Sequence, residues 1–318
     1  MIQSNNTRIS LDRREHDSDV DFVSHAHTDH IGAVRASKGI LASEQTLQLI
    51  EQAHNIEIRN RADGSAFEMV EAGHMLGSRQ LVVNDSASGR RITYTGDFQT
   101  ARSKTARPIK VLDTDVLIMD STYPSSFPRF DDKQEVESAI QDWTLKRLRN
   151  GIVVFSAYAM GKAQELIAIF NDIGIKPLVS RKVSRVSRVY SLNGIRLSYS
   201  SAYGDDDYDS IVRDNFVGIT DSRDLASMRS VLESAHGRKV YTAVATGFAK
   251  TFRFNTDVQF PLSDHADFSQ SVDYIEETGA KSILTYGTNA APFAENLRSQ
   301  GYDAMPFCDS ALARSAVQ

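Results

Sequence analysis

Three imidazoles and a carboxylate fall within six positions of this chain, at His25, His27, Asp29 and His30. The run closes an alternating stretch, Val20, Phe22 and Ser24 against Asp21, Val23 and His25, which reads as a strand. His25 and His27 stand at i and i+2, so an extended chain points them the same way. Asp29 and His30 then turn into a helix predicted to start near Ile31. Gly73-His74 and Gly96-Asp97 each follow or end an apolar, strand-like stretch. His and Asp are the ligand types that zinc takes where no thiolate is at hand. Together His25, His27, Asp29, His30, His74 and Asp97 read as the two halves of a dinuclear metal site. Two metals about 3.5–4 Å apart clamp an attacking and a leaving oxygen, which is the hardware of hydrolysis. The joint occurrence of these residues, in this order, constrains the chain more than any one of them.

His25-Ala26-His27-Thr28-Asp29-His30 resembles the HxHxDH signature of the metallo-β-lactamase fold. Asp12, after Ile9-Ser10-Leu11, matches the acidic residue that precedes that signature, and His74 and Asp97 match the two motifs that follow. Asp120 in Leu117-Ile118-Met119-Asp120-Ser121-Thr122-Tyr123 resembles the first motif of the β-CASP nucleases. His265 in Leu262-Ser263-Asp264-His265-Ala266-Asp267-Phe268 resembles their second. The resemblance covers nearly the whole chain and is greatest to the compact Artemis-like and ligase-associated exonucleases and their archaeal RNA-processing relatives. One position departs from it. Tyr286 stands where the RNA-processing members carry a third-motif His that completes the second metal's shell. That departure implies a weaker second metal. Like Asp120 in place of the Glu common in RNA-processing members, it leans towards DNA as substrate.

The resemblance implies an α/β fold: a metallo-β-lactamase αββα sandwich with an inserted β-CASP α/β domain. The expected organisation is a first part over residues 1–122, the insertion over 123–258, and completion of the first domain over 259–318. The pattern along the chain agrees. The first third is rich in strands, with period-two patterning at Phe67 and Met69 and at Leu81 and Val83. Asp85-Ser86-Ala87-Ser88-Gly89 is a turn signal before a strand from Ile92 to Thr95. A helix is predicted over 43–53, capped by Ser43. The apolar run from Val116 to Met119 suits a strand covered on both faces. Beyond Tyr123-Pro124 strands alternate with helices, which predicts a parallel sheet. The strands are 151–157, 216–219 and 240–245. The helices include one lined by Val136, Ile140 and Trp143, one lined by Leu166, Ile167, Phe170 and Ile173 that stops at Gly174, and one over 224–235.

A length of 318 residues with 41% hydrophobic content allows one large domain or two. No apolar run approaches the roughly 20 residues of a membrane span, and the N-terminus has no signal-peptide pattern. The single cysteine, Cys308, excludes an internal disulfide framework, fits a reducing compartment and reads as a packed thiol, so a cytoplasmic location is expected. A net charge of −5 does not advertise nucleic acid. Basic residues nevertheless cluster at Lys146, Arg147 and Arg149 and at Arg181, Lys182, Arg185 and Arg188, against an acidic run at Asp205, Asp206 and Asp207. Arg181, Arg185 and Arg188 recur at helical spacing, so one positive helix face could track a phosphate backbone.

The function implied is metal-dependent hydrolysis of nucleic-acid phosphodiesters, with zinc as the expected ion and Mn2+ or Mg2+ as alternatives. DNA is slightly favoured over RNA, and the resemblance suggests an exonuclease of DNA repair or RNA processing; the alternative is an RNA-processing endo- or exoribonuclease. Metals on the six ligands would bind the scissile phosphate and bring a water's pKa towards neutrality, with Asp29 and Asp97 also steering its proton. His265 would contact the phosphate or protonate the leaving oxygen, and Asp120 would orient a ligand imidazole. Ser156, Gly161 and Lys162, where a strand leads into a helix, and Thr246-Gly247 in a similar setting, offer backbone N–H groups suited to an anion. Arg185 and Arg188 would meet the backbone of the substrate. A small-molecule hydrolase would need neither the insertion nor the Asp120 and His265 motifs, and a non-catalytic nucleic-acid scaffold would not need all six ligands.

Overall fold

The computed structural model of the protein describes residues 1–4, 7–65, 67–85, 88–202 and 208–307. Ser86 and Ala87 of the predicted turn, the acidic run Asp205, Asp206 and Asp207, and Cys308 lie outside the described residues. The chain forms two compact units. One comprises Met1–Arg102, Ala106–Arg129 and His265–Gln318, the other Ser103–Thr105 and Phe130–Asp264.

The first unit opens with β1 (Ile2–Ser4) and β2 (Thr7–Leu11), which pair antiparallel; β3 (Val20–Phe22) and β4 (Ile40–Leu41) extend this sheet in parallel. Helix α1 (Glu44–His54) is capped as predicted: the Ser43 hydroxyl oxygen accepts the Thr46 N–H. A second sheet begins with β5 (Glu68–Glu71), β6 (Arg79–Asn84) and β7 (Arg91–Tyr94), an antiparallel meander, and β8 (Val116–Asp120) joins β7 in parallel. Every residue of β8 is buried, and its side chains alternate. Val116 and Ile118 pack with Ile9, Leu11 and Phe22 of the first sheet, so they face the core between the two sheets. Leu117 and Met119 pack on the opposite face.

The second unit contains α2 (Lys133–Leu148), β9 (Ile152–Ser156), α3 (Lys162–Asn171), β10 (Leu178–Val179), α4 (Arg181–Leu192), β11 (Ser200–Ser201), α5 (Tyr208–Ile211), β12 (Val217–Thr220), α6 (Leu225–His236), β13 (Val240–Ala245) and β14 (Val258–Phe260). Its sheet runs β11-β10-β12-β9-β13-β14 and every pairing is parallel. Continuous apolar strands such as Ile152-Val153-Val154-Phe155 require cover on both faces. They have it: Val153 and Phe155 pack with residues of α2 and α3, and Ile152 and Val154 with Leu225 of α6.

The chain then returns to the first unit as α7 (Phe268–Thr278), β15 (Ser282–Tyr286), α8 (Ala290–Ser299) and β16 (Ala304–Pro306). β15 lies between β8 and β16, parallel to both, in the order β16-β15-β8-β7-β6-β5. Phe268, Tyr274 and Ile275 of α7 and Phe293 and Leu297 of α8 cover Leu117 and Met119. The result is two face-packed sheets with helices on the outside of the second, and an all-parallel α/β unit inserted between β8 and α7. Among the described residues no helix is long and apolar enough to cross a membrane.

One predicted element is absent. The chain from Ile31 is a series of turns, with i→i+3 bonds from Val34 N–H to the Ile31 carbonyl and from Ala36 N–H to the Ala33 carbonyl. Gly32 lowers helix propensity here, and the preceding His30, whose N–H donates to the His27 carbonyl in a turn, has its ring held by Asp12 18 positions away.

Candidate metal centre

Four strand ends of the first unit carry the site. β2 ends at Leu11 and passes to Asp12, which adopts a left-handed conformation with φ of 57°. β3 passes through Val23 and Ser24 to His25 and His27. The stretch after β5 carries Gly73-His74, and the turn after β7 carries Gly96-Asp97. Both glycines are required. A Cβ on Gly96 (φ 57°) would lie 2.5 Å from the Ser24 Cβ, and one on Gly73 (φ 85°) would lie 2.2 Å from the Gln99 carbonyl oxygen. Gly73 thus packs against the backbone of Gln99 and Ile109, and Gly96 against the side chain of Ser24 beside the histidine run, more closely than any residue with a Cβ allows.

One ligand atom from each of His25, His27, His74 and Asp97 lies within 4.8 Å of all the others. His27 Nδ1 is 3.1 Å from His25 Nε2 and 3.0 Å from His74 Nε2. Asp97 Oδ2 is the hub: it stands 3.5 Å from His25 Nε2, 3.3 Å from His30 Nε2, and 3.9 Å from both His74 Nε2 and His265 Nε2. Ligands around a tetrahedral zinc with bonds of ~2.0–2.1 Å are separated by about 3.3–3.4 Å. The observed spacings bracket that figure, so the donor set fits a metal in number, type and geometry, with Asp97 placed between the His25-His27-His74 group and His30.

The electrostatics agree. Burial pushes the His25 imidazole well below its ordinary pKa, with a further contribution from His30, and leaves it neutral as a ligand must be. Burial also opposes charge on His30, but the carboxylates of Asp97 and Asp12 outweigh it and raise His30 well above the usual range. Burial likewise opposes ionisation of Asp97, yet the facing imidazoles of His30, His25 and His265 hold it well below the usual carboxylate range. An ionised carboxylate and an imidazole held protonated mark a place where the protein's field favours a cation.

The supporting shell is dense. Asp12 accepts four hydrogen bonds: from Ser24 N–H (2.6 Å), the Ser24 hydroxyl (2.6 Å), the Tyr94 hydroxyl (2.7 Å) and His30 Nδ1 (2.7 Å). It fixes the ring of His30 so that Nε2 faces Asp97. Ser24 Oγ also stands 2.9 Å from His25 Nδ1. His54, in the last turn of α1, reaches the Ala26 carbonyl with Nε2 at 2.9 Å and pins the loop between His25 and His27. Outer contacts of this kind set the orientation and basicity of ligating imidazoles. The sequence pattern marked Asp12 only by its resemblance and did not mark Ser24 or Tyr94, because hydrogen bonds spanning 12 and 82 positions leave no local trace.

Of the other predicted residues, Asp29 is 81% exposed in its side chain and stands at the rim, 3.7 Å from His30 Nε2. Asp120 Oδ2 is 3.0 Å from His265 Nδ1, so it orients His265, whose Nε2 then faces Asp97. Tyr286 pairs in register with Asp120, but its hydroxyl donates to the Leu11 carbonyl at 2.9 Å and its ring lies edge-on to Tyr94. In the second unit the Ser156 hydroxyl donates to the Ser222 carbonyl, Gly161 N–H donates to the Gln164 side chain, Lys162 is buried and ion-paired with Asp264, and Thr246 caps the short 3-10 turn that begins at Gly247. Arg185 and Arg188 lie on the exposed face of α4.

No family model matches the chain. Over 302 residues it is 27% identical to a probable DNA ligase of Opitutus terrae, an alignment that spans 89% of this chain and 28% of that protein. Over 185 residues it is 29% identical to an RNase J-like protein of Methanocaldococcus jannaschii, spanning 48% of this chain and 44% of the relative. The chain therefore spans less than half the length of each. A solved structure of a protein of unknown function from Enterococcus faecalis superposes with a TM-score of 0.61 over 93% of this chain and 81% of its own, at 12% identity, a likeness of fold. Two packed sheets whose strand ends carry the six motif residues, a parallel α/β insertion and the similarity to an RNase J-like protein fit the β-CASP family of metallo-β-lactamase-fold proteins that the motifs resemble.

Proposed function

We propose that the protein is a zinc-dependent nuclease that hydrolyses phosphodiester bonds of nucleic acid, with DNA slightly favoured over RNA. The observation that carries this reading is the convergence of four imidazoles on one carboxylate oxygen, Asp97 Oδ2, within 3.3–3.9 Å. His25, His27 and His74 would hold one ion, with Asp97 shared, and His30 with Asp97 and Asp29 the other. Bound there, divalent ions would neutralise the scissile phosphate and supply hydroxide near neutral pH. The protein's own groups do the rest. Asp12 keeps His30 in place, and Asp120 holds Nδ1 of His265 so that Nε2 is presented to the phosphate or the leaving oxygen. An imidazole so held suits proton donation to a leaving oxygen. Tyr286 brings no imidazole to the third-motif position, which supports a second ion held more weakly than the first. Ser156, Gly161, Lys162, Thr246 and Gly247, with Arg185 and Arg188, are the proposed substrate contacts. Of these, Ser156 and Thr246 are the better supported, because both line a cavity.

The test is a panel of end-labelled single- and double-stranded DNA and RNA incubated with Zn2+, Mn2+ or Mg2+, with a chelator control. The reading requires cleavage of at least one substrate, stopped by chelator and restored by metal. Labelling each end in turn separates exonuclease from endonuclease. No cleavage of any substrate by metal-loaded protein would refute it.

A further inference from the structure

The second unit carries a cavity of about 820 Å³ at the carboxyl ends of its central strands. Its floor is Ser156 and the residues that follow β9, Asp221 and Arg223 beyond β12, and Thr246 beyond β13. The chain leaves β9 for β10 on one side of the sheet and leaves β13 for β14 on the other. In open parallel sheets a crevice between two such strand ends is where ligands bind. The volume lies within the range of pockets for small organic ligands.

The walls are unusual. Five large aromatic side chains are exposed among the described residues, and four of them, Tyr158 (46%), Phe248 (37%), Phe252 (60%) and Phe254 (38%), line this one cavity. Phe248 and Phe252 lie with ring centroids 5.9 Å apart and planes tilted by 54°. Concentrated apolar exposure of this kind marks a binding surface. Two cations complete it. Arg223 is exposed and makes no hydrogen bond or ion pair among the described residues. Lys182 is half exposed, with Nζ 3.7 Å from Asp221 Oδ2. Asp221 is itself held by the Ser180 hydroxyl, which leaves a fixed acceptor in the wall. Lys182 also lies in the first turn of α4, so the cavity is continuous with the helix whose exposed face carries Arg185 and Arg188.

We infer that this cavity receives one unstacked nucleotide of a single-stranded nucleic acid, with the base against Phe252 and Phe254 and the adjoining phosphate on Arg223 and Lys182. The inference rests on the nuclease reading and narrows its substrate to unpaired strands or ends. Aromatic faces bind any base and cationic side chains bind any phosphate, so the site is indifferent to sequence. A base locked inside a duplex cannot enter. The strand leaving the cavity would follow the positive face of α4.

The probe is an eight-nucleotide single-stranded DNA containing one 2-aminopurine, titrated with the protein in chelator so that cleavage does not interfere. Stacking on Phe252 and Phe254 should quench its emission. The Phe252→Ala/Phe254→Ala double variant should abolish the quenching and weaken binding by about 5- to 150-fold, the range that one stacked base supplies. Phe252→Trp with Phe254 intact should keep both. Arg223→Ala should lower the salt slope by about one unit. The same sequence as a duplex should bind more weakly than the single strand, and AMP alone should compete poorly if the occupant is part of a strand and well if it is a free nucleotide. Unchanged quenching and affinity in the double alanine variant would overturn the inference. So would binding of the wild type without quenching. If the wild type cleaves nucleic acid yet shows no quenching, the stacking site alone falls. If it neither binds nor cleaves any nucleic acid, the nuclease reading falls with it.

Discussion

At the scale of single residues, Asp12 is the least replaceable group outside the proposed ligands. It is buried, strained at positive φ, and accepts from four donors. Asp12→Asn keeps the shape but replaces one accepting oxygen with a donor and removes the charge that faces His30. Loss of such an outer contact typically costs about 10–100-fold in metal affinity or rate, and that loss should appear in a zinc titration of the second site with the His25-His27-His74 site little changed. Tyr94→Phe removes one of the four donors and should cost on the order of 1 kcal/mol of stability in denaturant unfolding. The two halves of the centre should also part on acidification. His25 is held neutral because its pKa is lowered, whereas His30 has a raised pKa and must give up a proton before it can ligate. As pH falls, protons should therefore compete first at His30, and the ion there should leave at a higher pH than its neighbour. Metal content measured across a pH series checks this; simultaneous loss of both ions would contradict it.

At the scale of elements, the glycines before His74 and Asp97 fix how closely strand ends approach. Gly96→Ala meets both positive-φ strain and a collision with Ser24, the residue that anchors Asp12 and His25. Gly174→Ala meets the same kind of strain, φ 74°, in open space. Residues other than glycine cost about 1–3 kcal/mol in this region, so Gly174→Ala should lower stability by that amount alone. Gly96→Ala should lower it further and also deplete metal. Equal effects of the two on unfolding would mean that the Ser24 contact is unimportant. The pattern of hydrophobic residues made most of these elements legible. Val116 to Met119 read as a doubly covered strand because its side chains alternate between two cores, and the strands at Ile152, Val217 and Val240 read as parallel because helices alternate with them along the chain. Ser43 announced α1 through local cap chemistry. The turns after Ile31 were not legible, since Ile31, Ala33 and Val34 are buried at a spacing that a helix would also give. Nor was the aromatic wall of the cavity: Tyr158 and Phe248, Phe252 and Phe254 are 90 positions apart or more and meet only because β9 and β13 are neighbours in the sheet.

At the scale of the whole molecule, a net charge of −5 coexists with a positive helix face. Arg181, Lys182, Arg185 and Arg188 are all exposed on α4, while Val183, Val186 and Val189 face inward. Arg185→Glu with Arg188→Glu should weaken binding of single-stranded DNA, and each lost phosphate contact should flatten the salt dependence by roughly one unit with little change in kcat. An unchanged slope would return the face to ordinary solvated surface. The central claim, however, concerns Asp97, on which the imidazoles of both halves converge. The most direct measurement is Asp97→Ala, followed by elemental analysis and cleavage of a labelled oligonucleotide on the same preparation. The account predicts a folded protein that has lost at least one zinc-equivalent per chain and most of its cleavage, by orders of magnitude. A variant shown to be metal-depleted that still cuts near the wild-type rate would contradict it.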